Sequence, residues 1–263
     1  MLFGETPPLK DDSKGDPQLM EERIITSEQL IIDADVKQEC IILLLKGKGE
    51  NTVQLNSDSI LKVASGHQMI RFTKEHFCLL NGSILAFYTL AGEYVSEYEV
   101  GAHIHELFSF KDGVLCIYGD QGVYGQGRGR NLLNYVSPYD PPASFYDIAV
   151  RYELDYDSLF ARHKPCACLN QSTNEMILFN EQLKVDRTMY IPFQTGNVIA
   201  FALTHQFAIF IEEDKLYKWD YQKMNRAEVF PGAFSYRTRS IYHRNEFQFI
   251  ERSEYAVRMF KFK

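Results

Sequence analysis

A short apolar run returns six times along this chain, and its spacing limits what the chain can fold into. The runs begin at Cys40 (CIILL), Phe77 (FCLLN), Val114 (VLCIY), Cys166 (CACLN), Phe207 (FAIFI) and Phe247 (FQFIE), in steps of 37, 37, 52, 41 and 40 residues. A pitch near 40 held over the whole chain marks a repeat architecture. Each copy is then one supersecondary unit that buries its apolar faces only against its neighbours.

The same order of strand and turn recurs inside each copy. The second reads MIRF from Met69, FCLL from Phe77, the turn Asn81-Gly82, ILAFYT from Ile84, the turn Ala91-Gly92 and EYVSEYEV from Glu93. The third reads HELFSF, Lys111-Asp112-Gly113, VLCIY, Gly119 to Gln121, GVYGQ and then NLLNYV as its fourth strand. Asn-Gly and Asp-Gly are hairpin signals because glycine accepts the positive φ of a tight turn. Four short antiparallel strands per copy, repeated around an axis, resemble the blade plan of a β-propeller. The resemblance is architectural and covers roughly residues 22–263. Regular G-H…W-D signatures are missing, with Trp219-Asp220 an isolated WD dipeptide, and so are the paired glycines of kelch repeats. No specific family is identified.

The fold expected is all-β: a single propeller, counted at six four-stranded blades, with five or seven the alternatives if the first copy is irregular. Phe and Tyr total 35 (19 plus 16), and the innermost runs are continuously apolar. Both features suit sheets stacked face to face. A sandwich or barrel with the same strand spacing is the competing architecture. The last copy supplies only three strands, RSIYH, FQFIE and YAVRMFKF, while ERIITSE from Glu22 precedes the first. Pairing of Ile24–Thr26 with the last blade completes the count and removes an open sheet edge. The division expected is residues 1–21 as a flexible tail and 22–263 as the propeller domain.

Charge and cysteines bound the setting. A net charge of −7 disfavours nucleic acid as a partner. No secretory n-region and h-region opens the chain, and no run of membrane-spanning length occurs. The five cysteines are odd in number and lie in apolar strand runs. They read as buried reduced thiols in a cytoplasmic or other reducing intracellular compartment. Cys166-Ala167-Cys168 lacks the second ligand pair of a zinc site and reads as core. The glycine-rich run Gly119–Arg130 has neither P-loop spacing nor a following helix. It reads as strand and turn, with Arg128 and Arg130 able to hold an anion. No cofactor, metal or local catalytic motif is indicated.

Two surfaces stand out. The 52-residue step places its extra length between Ser137 and Ser158, in aromatic-acidic sequence read as following a fourth strand on the channel-mouth face. Tyr139, Asp140, Tyr146, Tyr152, Glu153, Asp155 and Tyr156 are its candidate partner-binding residues. Long loops in compact folds are usually functional, and tyrosine supplies rigid contact area. A structural cap on the adjoining blade is the plainer role. At the channel mouth, His67, His103, His105, Asn197 and Arg237 sit just ahead of first strands. His76, His205 and His243 share the turn between first and second strands, each on a different blade. The function expected is a non-catalytic protein-protein interaction scaffold docking through the insertion. The alternative is an enzyme or small-ligand-binding propeller using the His and Arg groups at the mouth.

Overall fold

The structure, a computed structural model, describes residues 19–123, 133–144, 154, 158–161, 166–180, 182–241 and 247–262. Strand β1 (Leu19–Thr26) precedes the first blade, starting three residues ahead of the boundary read from the sequence. Blade 1 comprises β2 (Ile31–Lys37), β3 (Cys40–Leu45), β4 (Glu50–Leu55) and β5 (Asp58–Ala64). Blade 2 comprises β6 (His67–Phe72), β7 (His76–Asn81), β8 (Ile84–Thr89) and β9 (Tyr94–Glu99). Blade 3 has β10 (Ile104–Phe110), β11 (Gly113–Tyr118), β12 (Leu133–Val136) and β13 (Ala143–Ser144). Blade 4 has β14 (Leu159–Ala161), β15 (Cys166–Asn170), β16 (Glu175–Phe179) and β17 (Val185–Tyr190). Blade 5 has β18 (Ala200–Leu203), β19 (Phe207–Ile211), β20 (Lys215–Asp220) and β21 (Glu228–Pro231). The last sheet orders β22 (Thr238–Ile241), β23 (Phe247–Arg252), β24 (Ala256–Phe262) and then β1. The molecule is a six-bladed β-propeller.

The continuous apolar runs follow from this stacking. Successive side chains of a strand point to opposite faces, and here each face meets a different blade. From β3, Ile42 and Leu44 pack with Ile70, Phe72, Phe77 and Leu79 of blade 2. Ile41, Leu43 and Leu45 of the same strand pack with Ile241, Ile250, Val257 and Met259 of blade 6. The alternation repeats in β15, where Cys166 and Cys168 join the blade 3 side and Ala167 and Leu169 the blade 5 side. Six such clusters fill the six blade interfaces, including the one between the last blade and the first. Each fully buried Leu, Ile or Phe contributes about 1.5–3 kcal/mol, so every blade is stabilised mainly by its two neighbours.

Two local expectations change. The described part of NLLNYV, Leu133–Val136, is the third strand of blade 3, not the fourth, and Asp120–Val123 (α1) is a single helical turn where a strand was expected to begin. In the Lys111-Asp112-Gly113 turn the positive φ falls on Lys111, at 49°. Gly113 is required for a different reason: a Cβ there would lie 2.0 Å from the Val136 carbonyl oxygen. At Asn81-Gly82 the expectation holds, with Gly82 at φ 60°.

Of the cysteines, Cys78, Cys116, Cys166 and Cys168 are buried, whereas Cys40 is exposed at the start of β3. Burial pushes the Cys78 thiol up to about 12.

Ring closure rests on the antiparallel pairing of β1 with β24, in which Ile24, Ile25 and Thr26 lie opposite Arg258, Val257 and Ala256. Without β1, β24 becomes an open edge over the apolar last blade. Deletion of residues 1–26 is therefore expected to lower the thermal unfolding midpoint by about 5–10 °C, with aggregation on heating. Deletion of residues 1–18 is expected to leave it unchanged. Differential scanning calorimetry on the two truncations checks this, and equal midpoints would refute the closure.

Candidate functional site

The first strands of the blades line the central channel, and charged side chains interrupt their apolar sequence. Neighbouring first strands do not pair as sheets; polar side chains join them instead. The Asp33 carboxylate accepts from the Ile70 amide at 2.9 Å, and that of Asp35 from the Phe72 amide at 2.7 Å. Arg71 is 4 % exposed. Its guanidinium pairs with Asp33 on one side and Glu106 on the other, and donates to the Leu107 carbonyl at 2.8 Å. Ser109 Oγ donates to the Phe72 carbonyl at 2.5 Å. From blade 6, Arg239 reaches the Ala34 carbonyl and the Asp35 carboxylate, the latter at 3.2 Å. This belt joins blades 6, 1, 2 and 3. Burial works against the Arg71 charge, but Asp33, Glu106 and Asp35 outweigh it and hold the guanidinium above its usual range.

The belt residues themselves line a cavity of about 470 Å³ in the channel. Its wall is divided by chemistry. Blades 6, 1, 2 and 3 supply Asp33, Asp35, Arg71, His105, Glu106, Arg237, Arg239 and Arg252, whereas blades 4 and 5 supply Leu159, Phe160, Ile199 and Phe201. Of the five channel-mouth residues expected from sequence, His105 and Arg237 line this cavity. His67, His103 and Asn197 are not part of its lining. The His67 Nδ1 lies 2.8 Å from the Ala64 carbonyl, and the His103 carbonyl accepts from the Gly119 amide at 3.0 Å. No cluster of metal-ligating side chains occurs among the described residues. Sequence reasoning missed Asp33, Asp35, Arg71, Glu106, Arg239 and Arg252. The available signal was a charged residue inside an otherwise apolar first strand, as in IIDADVK and MIRF.

Only part of the insertion falls within the described residues. Tyr146, Tyr152, Glu153, Asp155 and Tyr156 lie outside them, as do Arg128, Arg130 and His243. Tyr139 and Asp140 belong to the hairpin between β12 and β13, so they sit on the face carrying the turns between first and second strands, opposite the channel-mouth face expected. The contact of Tyr139 with the His76 ring, centroids 5.8 Å apart, agrees with that placement. Ser137 Oγ accepts from the amides of Tyr139 and Asp140 at 3.2 and 3.0 Å, and Ser96 Oγ donates to the Pro138 carbonyl at 2.8 Å. The Tyr139 ring, 63 % exposed, is thus held outward from a fixed backbone. Leu154 is buried in the interface between blades 3 and 4, so one part of the insertion does cap the core.

Trp219-Asp220 is structural. The Trp219 indole is buried and donates to the Asn225 carbonyl at 3.0 Å. Burial raises the Asp220 carboxyl, but donors from Gln206 and Lys223 prevail and hold it below the usual carboxylate value.

The sequence matches no protein-family profile and no curated protein. Its fold is similar to that of solved propellers. The CNH domain of AfRom2 is 12% identical with a TM-score of 0.56, over 97% of this chain and 85% of that one. Kluyveromyces marxianus Hsv2 is 7% identical with a TM-score of 0.53, over 82% and 72%. PorZ, a surface component of the type-IX secretion system of Porphyromonas gingivalis, is 10% identical with a TM-score of 0.54. That match covers 90% of this chain but only 34% of PorZ, so the chain spans about a third of that protein. At such identities the likeness is one of fold.

Arg71→Met leaves two carboxylates without their buried partner. It is expected to cost about 3–5 kcal/mol in denaturant unfolding; a loss below that range would show the belt to be dispensable. Asp220→Asn is expected to cost about 1 kcal/mol at pH 7. Because the folded-state pKa is depressed, the ionised carboxylate contributes in full above its unfolded value of about 3.9. That contribution is lost as pH falls through the folded value. The gap between parent and variant in urea melts should therefore close below about pH 4.

Proposed function

We propose that this propeller is a non-catalytic interaction scaffold that docks a protein partner on the face carrying Tyr139. The observation behind the reading is the presentation of that ring: largely exposed, on a backbone fixed by Ser137 and Ser96, with its edge against His76. An aromatic ordered before binding loses little conformational entropy on contact, which is the character of a hot-spot residue. Tyr94, also exposed, lies on the neighbouring β9 and meets Tyr88 at 6.0 Å between centroids. The remaining insertion residues Tyr146, Tyr152, Glu153, Asp155 and Tyr156 lie outside the described residues and are not assigned to this face. Predominantly buried, reduced cysteines support a reducing compartment as the setting.

Replacing the whole insertion would remove Leu154 from the core, so point changes are the better test. Tyr139→Ala combined with Tyr94→Ala is expected to leave thermal unfolding unchanged. The double variant is expected to reduce retention of a partner in affinity capture from the source lysate by about tenfold or more. Identical partners at identical yield from the parent and the double variant would refute docking at this face.

A further inference from the structure

The charges along the cavity wall do not balance. Asp33 and Glu106 sit on Arg71, and Asp35 sits on Arg239. Arg237 and Arg252 line the same cavity, and neither has a carboxylate at ion-pair distance among the described residues. Four guanidiniums against three carboxylates leave the wall at +1 (4 − 3), inside a chain of net charge −7. Arg252 donates to the Ile31 carbonyl at 3.0 Å, and Arg237 to the Tyr236 hydroxyl at 3.0 Å. A guanidinium carries five N–H donors in a fixed fork, so most of the donors on each remain for a ligand.

A second observation points to the same place. Thr238 follows Arg237 directly, lines the cavity, is 3 % exposed, and its Oγ1 has no hydrogen-bond partner. A buried hydroxyl without a partner costs about 1–3 kcal/mol; Oγ1 has no accessible surface of its own, so it meets a ligand acceptor through a side-chain rotation. Burial also lowers the pKa of Arg252; Asp33 offsets part of this, while Arg237, Arg71 and Arg239 lower it further. An arriving anion relieves that crowding of like charge. Phe160 of blade 4 and Ile199 and Phe201 of the adjoining blade 5 add apolar surface to the same cavity. A volume of about 470 Å³ suits a small organic molecule.

We propose that the channel cavity binds a small organic anion, a carboxylate or phosphate ester with a compact apolar body. The anionic head rests on Arg237, Arg252 and Thr238, and the body lies against Phe160, Ile199 and Phe201. This site is separate from the Tyr139 face and stands independently of protein docking there. Paired guanidiniums suit it because they grip carboxylate or phosphate oxygens through two parallel hydrogen bonds.

Isothermal titration of the full chain with phenyl phosphate, phenylacetate, inorganic phosphate and phenol tests the proposal. One or both of the aromatic anions is expected to bind at one site per chain, about tenfold or more tighter than phosphate or phenol alone. Which of the two binds tighter identifies the preferred head group. Arg252→Gln and Arg237→Gln are each expected to weaken that binding by about tenfold or more, and Thr238→Val by severalfold. Arg252 also holds the Ile31 carbonyl, so the Arg237 variant carries the test if the Arg252 variant fails to fold. The proposal is overturned if neither aromatic anion gives binding heat, or if affinity is unchanged in the Arg237 variant. Equal affinity for inorganic phosphate and the aromatic anions would also overturn it, by removing the apolar half of the site.

Discussion

A sheet that is apolar on both faces has no stable free surface, and everything else in this molecule depends on that constraint. Ile42 and Leu44 of one strand look to the second blade while Ile41, Leu43 and Leu45 look to the last. An open stack would leave its two end sheets each with a bare apolar face. Closing the stack into a ring removes both faces at once, and β1 then covers the remaining edge at β24. The ring is thus a consequence of hydrophobic burial, and the pairing of β1 with β24 completes its last sheet.

Closure creates a second problem, at the axis. First strands converge there without pairing, so their backbone groups need partners from side chains. Asp33, Asp35, Arg71, Ser109 and Arg239 meet that need across blades 6, 1, 2 and 3, while blades 4 and 5 meet the axis with apolar side chains. The division confines the charge lining the channel cavity to four blades and leaves the lining from blades 4 and 5 uncharged. Arg252 also ties blade 6 to blade 1 through the Ile31 carbonyl. Neither it nor Arg237 has a carboxylate at ion-pair distance among the described residues, which separates both from Arg71.

Much of the fold was legible because it rests on local patterns. The pitch of the apolar runs identified the blades, and the three-strand count of the last copy identified the closing strand at Ile24–Thr26. The reading of NLLNYV as a fourth strand had a local cause: GVYGQ has strand-like composition, but its first two residues, Gly122 and Val123, belong to the helical turn Asp120–Val123. That one error placed Tyr139 on the wrong face, because adding a strand to a meander reverses the end at which the next turn emerges.

The sequence by itself determined the number of sheets, the antiparallel order within them and the need for both faces to be covered, since these follow from short-range periodicity and turn chemistry. It also carried Arg237 and His105 as candidates through their position before first strands. Only the tertiary structure decided which charges meet. Asp33 and Arg71 are 38 residues apart, and Asp35 and Arg239 are 204 apart. Their pairing depends on how the blades rotate about a common axis, and that rotation is set by the packing of whole sheets. No residue's neighbours in sequence carry that information, so the imbalance of charge around Arg252 becomes visible only once the ring is closed.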